Sequence, residues 1–180
     1  MAREIELKAR VEDHHLIMER IQAVPGISPP LAEHKADIYF VRTGEQKHFR
    51  VRLQNDSVVI TSKTKEKRHD GTEDNHEIEF DTPKDNYQNV LAFFHNLGFD
   101  EYIRKEKTGW IWSLGTLTVE LVQVGQLGWF LEMEIVLGDD ASVVEVSTAK
   151  KALFNLLERV GIGREKLEER YYMDLLREKV

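Results

Sequence analysis

The chain opens with Glu4-Ile5-Glu6-Leu7-Lys8, a pattern able to hold a metal ion and a phosphate together. In a strand, residues two apart share a face, so Glu4, Glu6 and Lys8 line one side while Ile5 and Leu7 line the other. Two neighbouring carboxylates repel unless a cation lies between them. Carboxylates completed by substrate phosphates are the usual shell of Mg2+, and a lysine one step further along would reach such a phosphate. The competing reading is an amphipathic strand whose charged face meets water.

Recurrence of the pattern decides between the two. Arg50 and Arg52 flank Val51, and Lys63 and Lys65 end an apolar run. Glu77 with Glu79, Lys105 with Lys107, and Glu132 with Glu134 repeat the spacing, and Glu120 stands alone between the last two pairs. Like charges two apart on an exposed sheet gain nothing from each other. Converging on one cavity, they form a basic wall and an acidic wall. A polyanion with divalent cations resolves that arrangement: Arg and Lys neutralise phosphate oxygens, and the acidic side holds metal bridged to the same phosphates. Buried charges without such partners would be very costly. An extended triphosphate matches a long cationic tunnel.

These side chains need strands to aim them. Alternation predicts strands over 3–11, 32–42, 47–54, 57–65, 76–81, 101–113, 116–124 and 129–137. Helical spacing predicts a helix from Asp13, its cap, to Val24, and another over 84–97 followed by Gly98. Ser142 with Glu145 reads as a capping box that opens a third helix ending at Gly161. A last helical segment is expected over 164–178. The polar stretch 65–75, with Asp70-Gly71 at its middle, reads as a flexible loop and a candidate lid. Eight strands with charged inward faces and helices beside them predict an α+β fold, a closed antiparallel β-barrel formed by one domain over residues 1–180.

Composition narrows the function classes. The 180 residues carry a formal net charge of −7, against the basic surplus of a general nucleic-acid binder. With no cysteine, disulfides and thiolate zinc sites are excluded. The opening residues do not read as a signal peptide, and no apolar run approaches the length of a membrane span. A cytoplasmic protein with no membrane and no nucleic-acid partner is expected, with a homodimer through the C-terminal helices as an option. The seven histidines show no metal-ligand spacing. Trp110 and Trp112 alternate on a strand, so at least one belongs to the core, and an aromatic cap over a base is the minor reading. Gly125 and Gly128 fit a turn better than a phosphate loop, since no helix start follows them.

Taken in order, the motifs resemble the CYTH superfamily, the triphosphate tunnel metalloenzymes. The resemblance rests on Glu4-x-Glu6-x-Lys8, Asp37-Ile38-Tyr39-Phe40, Arg50-Val51-Arg52, Lys63, Glu77-x-Glu79, Lys105-x-Lys107 and Gly128-Trp129-Phe130-Leu131-Glu132-Met133-Glu134. It implies an eight-stranded barrel that binds a triphosphate with Mg2+ or Mn2+. By resemblance, Glu4, Glu6, Glu120, Glu132 and Glu134 are metal ligands, and Lys8, Arg50, Arg52, Lys63, Lys105 and Lys107 hold the phosphates. Glu4, Glu6, Lys8 and Glu134 would carry catalysis, and Glu77 and Glu79 extend the acidic wall.

The opening wording and the ending Arg170-Tyr171-Tyr172-Met173-Asp174-Leu175-Leu176 look closest to class IV adenylyl cyclases, which would make ATP the substrate. Three positions depart from the family pattern. Lys107 stands where arginine is common, Glu120 or Val122 takes the place of an aspartate, and His76 precedes the second acidic pair where arginine is usual, with Arg68 as a substitute. The alternatives are a triphosphatase acting on inorganic, thiamine or nucleoside triphosphate, and a non-enzymatic phosphate-binding module. The acidic clusters argue against the last, because anion binding alone does not need them.

Overall fold

The computed structural model of the protein describes residues 2–45, 48–67 and 69–179. Eight strands are present: β1 (Ala2–Val11), β2 (Leu31–Val41), β3 (His48–Gln54), β4 (Ser57–Lys67), β5 (Glu73–Pro83), β6 (Asp100–Leu114), β7 (Leu117–Val124) and β8 (Trp129–Gly138). They close into a barrel in the order β1-β5-β4-β3-β2-β6-β7-β8, with every neighbouring pair antiparallel. Four α-helices accompany them: α1 (His14–Gln22), α2 (Tyr87–Asn96), α3 (Val143–Arg159) and α4 (Tyr172–Arg177).

The alternation read from the sequence is what builds this wall. Ile5, Leu7, Ala9, Val119, Leu121, Leu131 and Met133 point outward and join α1 and α3 in one core through Ile17, Ile21, Leu153 and Leu157. On the other flank, Ile38, Phe40, Val51, Val58 and Ile60 meet Tyr87, Val90, Leu91 and Phe94 of α2. Each such side chain contributes about 1.5–3 kcal/mol when fully buried. The helices therefore hold the barrel from outside, which leaves its interior free to carry charge. The predicted caps are in place. The Asp13 carboxylate accepts from the Leu16 amide at 3.1 Å, and Ser142 and Glu145 form a reciprocal capping box.

Two predicted elements differ. The stretch 65–75 is not a lid: β4 runs to Lys67 and β5 begins at Glu73, in the register Lys65↔Asn75 and Lys67↔Glu73. Its polar residues resemble a loop, yet Glu73 and Asn75 are buried on the inward face of β5. The segment expected as one helix over 164–178 is broken. A short 3-10 turn at Arg164–Lys166 precedes extended chain, in which Leu167 bridges Ala9 and the Glu168 amide donates to the Lys8 carbonyl at 2.8 Å. Only Tyr172–Arg177 is α-helical.

That last helix closes one end of the barrel. Val122, Val124 and Phe130 continue the inward rows of β7 and β8, and Tyr172 and Leu175 of α4 pack on them. The apolar face of α4 is covered here, with Tyr172, Met173 and Leu175 buried. No helix among the described residues is long and apolar enough to cross a membrane.

Candidate functional site

The barrel encloses a cavity of about 480 Å3. All thirteen candidates from the sequence line it: Glu4, Glu6 and Lys8 on β1, Arg50 and Arg52 on β3, Lys63 on β4, Glu77 and Glu79 on β5, Lys105 and Lys107 on β6, Glu120 on β7, and Glu132 and Glu134 on β8. Glu120 is the seventh-strand carboxylate, whereas Val122 lies in the apolar plug. His76 points outward to Asp139 at 3.0 Å, and Arg68 lies outside the described residues. Trp112 is buried under the outer helices, and Trp110 stacks on Trp129 with ring centroids 5.8 Å apart. Neither indole lines the cavity, so the aromatic-cap reading fails.

Lys63 takes an unexpected position. Its ammonium lies 2.8 Å from Glu4, 3.2 Å from Glu6 and 2.9 Å from Glu77. The Lys63↔Glu77 register places it there, in the acidic wall and away from the basic one. These carboxylates hold its pKa well above the ordinary lysine value against the opposing effect of burial. Burial raises the Glu4 pKa, with Lys63 opposing; at Glu77 the Lys63 charge outweighs burial and the pKa is lowered. Among the described residues no ion pair forms at Glu134, and Lys63 acts on it only weakly. Burial, with the charges of Glu4, Glu6 and Glu120, pushes its pKa up to about 8.

The basic groups are paired as well. Arg52 donates to both oxygens of Asp37, at 2.6 and 3.0 Å, and Lys105 reaches the same carboxylate at 2.9 Å. Despite burial, those two cations hold the Asp37 pKa well below the usual range. Lys107 pairs with Glu132, which also accepts from the Tyr172 hydroxyl. Burial opposes ionisation of Glu132, but Lys107 lowers its pKa to about 2.

The Tyr172 ring lies among three ammonium groups, 4.4 Å from that of Lys8, 5.2 Å from Lys105 and 5.3 Å from Lys107. Such contacts are attractive through the ring's negative face. Lys8 also donates to the Arg170 carbonyl at 2.7 Å.

Sequence reasoning missed part of the wall. Glu33, Lys35 and Tyr39 line the cavity from β2, with Gln54 from β3, Thr61 from β4, and Tyr171 and Tyr172 from the C-terminal segment. Glu33-x-Lys35-x-Asp37-x-Tyr39 has the same period of two but mixes residue types, so it carries no like-charge signature. Tyr39 is half-buried and accepts a hydrogen bond from Lys105 at 3.1 Å. Burial raises its pKa, yet Lys105 prevails and the phenol's pKa is lowered.

The donor set fits a hard divalent cation. Among the described residues, eight acidic and seven cationic side chains line the cavity, so the cations that would bind a polyanion already face carboxylates. Glu134 faces other carboxylates closely enough to retain a proton near neutrality. Carboxylate oxygens are the ligands that Mg2+ and Mn2+ prefer. Among the described residues no three acidic or imidazole groups form a ready cage, and the Lys63 ammonium lies among three of the carboxylates in question.

A closed antiparallel barrel with matched acidic and basic rows inside defines a tunnel protein built around charge. The CYTH domain model matches residues 2–172, and the chain belongs to that family. Among solved structures, PH1012 from Pyrococcus horikoshii is 27% identical over 96% of this chain and 98% of its own, with a TM-score of 0.77. A candidate adenylate cyclase from Vibrio parahaemolyticus shares the fold at 17% identity over 97% of each chain, TM-score 0.77. So does a candidate adenylyl cyclase from Hippeastrum described as having a dominant triphosphatase activity, at 16% identity over 99% of this chain and 96% of its own, TM-score 0.69. Comparison with curated proteins finds no significant match.

Proposed function

We propose that the protein is a metal-dependent enzyme that binds a triphosphate in its tunnel and converts ATP to 3′,5′-cyclic AMP and pyrophosphate, in the manner of class IV adenylyl cyclases. One observation carries the reading: cationic rows that could hold phosphates face acidic rows inside a single cavity. The opening and closing wording of the chain favours the cyclase branch within its family. Glu4, Glu6, Glu132 and Glu134 would hold Mg2+ or Mn2+, while Glu120 is already paired with Lys35 at 2.6 Å. When bound, the cation supplies charge neutralisation at the phosphates and activation of the attacking oxygen.

The chain's own residues do the rest. Lys8, Arg50, Arg52, Lys105 and Lys107 bind the phosphate oxygens and offset charge that develops in the transition state. The Tyr39 phenol, which accepts from Lys105 at 3.1 Å, would hold that ammonium toward the phosphates. The outer helices and the α4 plug exclude water from one end. In cyclisation the ribose 3′-hydroxyl attacks the α-phosphorus and pyrophosphate leaves.

A second reading uses the same wall. Water attacks a terminal phosphorus and orthophosphate leaves, an activity named for the Hippeastrum protein of the same fold. Incubation with ATP, tripolyphosphate or thiamine triphosphate and Mg2+ or Mn2+, followed by product separation, distinguishes the two. Cyclic AMP with pyrophosphate is the expected outcome, and orthophosphate selects the second reading. Absence of turnover, together with unchanged binding in Glu4→Gln, overturns both.

A further inference from the structure

The polar groups on β2 and β7 form a part of the tunnel that phosphate and metal binding leave without a role. The Lys35 ammonium donates to one oxygen of Glu33 at 2.9 Å and to one oxygen of Glu120 at 2.6 Å. The Gln54 amide donates to that same Glu33 oxygen at 3.2 Å. Among the described residues the second oxygen of each carboxylate has no hydrogen-bond partner, although both residues are only 8% exposed. Lys107 lies 3.9 Å from the free Glu120 oxygen, beyond hydrogen-bond reach. A buried acceptor without a donor costs about 1–3 kcal/mol, more when charged. Both oxygens therefore call for donors from something that enters the cavity.

The chemistry of that group follows from its surroundings. An anion is repelled by two carboxylates. A further metal cation is repelled by Lys35, which already lies between them. A neutral group with two donors fits, and a pair of hydroxyls meets the requirement, because each can donate to a carboxylate and accept from Lys35 or Gln54. An acidic side chain is a usual partner of a ribose hydroxyl in nucleotide sites. The position is right for a sugar. Lys107, which pairs with Glu132 among the phosphate-binding candidates, also lies 3.9 Å from the free Glu120 oxygen. A sugar follows directly on the α-phosphate of a nucleotide, so the two subsites must adjoin.

We infer that Glu33, Lys35, Gln54 and Glu120 form a subsite for the ribose hydroxyls of a nucleoside triphosphate, which makes the substrate a nucleotide and not an inorganic polyphosphate. The inference rests on the triphosphate-tunnel reading above. A site built to hydrogen-bond a hydroxyl discriminates strongly against an analogue that lacks it.

Calorimetric binding of ATP, 2′,3′-dideoxy-ATP and tripolyphosphate to the whole protein, with Ca2+ as the cation, tests it. Wild type is expected to bind ATP about 10- to 100-fold more tightly than the dideoxy analogue, the range for hydrogen bonds to charged acceptors. Glu33→Gln should remove most of that preference while leaving tripolyphosphate affinity within about twofold, since it touches no phosphate-binding group. Equal binding of ATP and the dideoxy analogue to wild type overturns the subsite without needing any variant. A Glu33→Gln protein that loses tripolyphosphate as much as ATP overturns it too. Tripolyphosphate binding alongside equal binding of ATP and its dideoxy analogue leaves the tunnel reading standing, whereas no triphosphate binding at all removes both.

Discussion

Replacing Lys63 by methionine tests what its ammonium does in the acidic wall. Met keeps the length and the apolar stem but deletes the charge that Glu4, Glu6 and Glu77 share at 2.8–3.2 Å. Removing one partner of a buried ion pair costs about 3–5 kcal/mol. Two features lower that figure here: Lys63 keeps 18% exposure, and Glu4, whose pKa is already raised, can take a proton to relieve its neighbours. We expect about 2–3 kcal/mol, which for a chain of this size lowers Tm by about 4–12 °C.

A divalent cation should reverse the sign of the comparison. In wild type the ion must displace Lys63, while in Lys63→Met it meets three carboxylates with no competing ammonium. A ligand at a hundredfold excess over its Kd adds about 2.7 kcal/mol of stability. Thermal melts with and without Mn2+ should therefore show a larger upward shift for the variant than for wild type. A variant as stable as wild type without metal, or equal Mn2+ shifts in both proteins, would refute the argument.

Arg52→Ala strips both hydrogen bonds from Asp37 and leaves Lys105 alone on a carboxylate that is 2% exposed, so triphosphate affinity and about 2–3 kcal/mol of stability should fall together in denaturant unfolding. Retained stability would show that Lys105 suffices. Glu168 is held at a pKa of about 2, chiefly by its hydrogen bonds with Arg170 and then Arg10, below the unfolded value near about 4.3. Its contribution is thus full above the unfolded pKa and lost as pH falls through about 2; with both arginines well exposed it is worth about 1 kcal/mol, and Glu168→Gln should flatten that acid limb in pH-dependent melts. Gly109 lies where a Cβ would come within 2.1 Å of the Leu121 carbonyl oxygen, so Gly109→Ala should force β6 from β7 and cost about 1–3 kcal/mol in the same unfolding assay.

The strands and the barrel were legible because alternation projects directly into sequence. Glu4-x-Glu6-x-Lys8 and Arg50-x-Arg52 announce an inward face that cannot be solvated cheaply, and Ile5, Leu7 and Val51 announce the outward one. Mixed rows were not legible. Glu33, Lys35 and Tyr39 obey the same period, but without a repeated charge they look like ordinary surface. The stretch 65–75 was misread for a related reason, since polar residues suggest a loop whether they face water or the inside of a polar barrel. The position of Lys63 depends on the β4–β5 register, a pairing between segments that local pattern does not encode. Tyr171 and Tyr172 enter the cavity through the return of the C-terminal segment along β1, which no local signal in that segment reveals.

Several of the tunnel's charges are paired with one another. Lys63 answers Glu4, Glu6 and Glu77; Lys107 answers Glu132; Arg52 and Lys105 answer Asp37; and the Tyr172 ring rests among three ammonium groups. Such pairs are worth little net stability compared with an apolar core, because each pays its own desolvation. Their consequence is for binding. A polyanion that takes Lys107 or Lys105 as a partner leaves a carboxylate behind, and that carboxylate stays ionised only if another cation replaces the one it lost. Polyanion and divalent cation are therefore coupled by the wall itself, each favouring the other's entry. Triphosphate affinity should consequently depend on divalent cation more steeply than a basic pocket of the same cation count would, and the steepness resides in Glu132 and Asp37 as much as in the ligands of the ion.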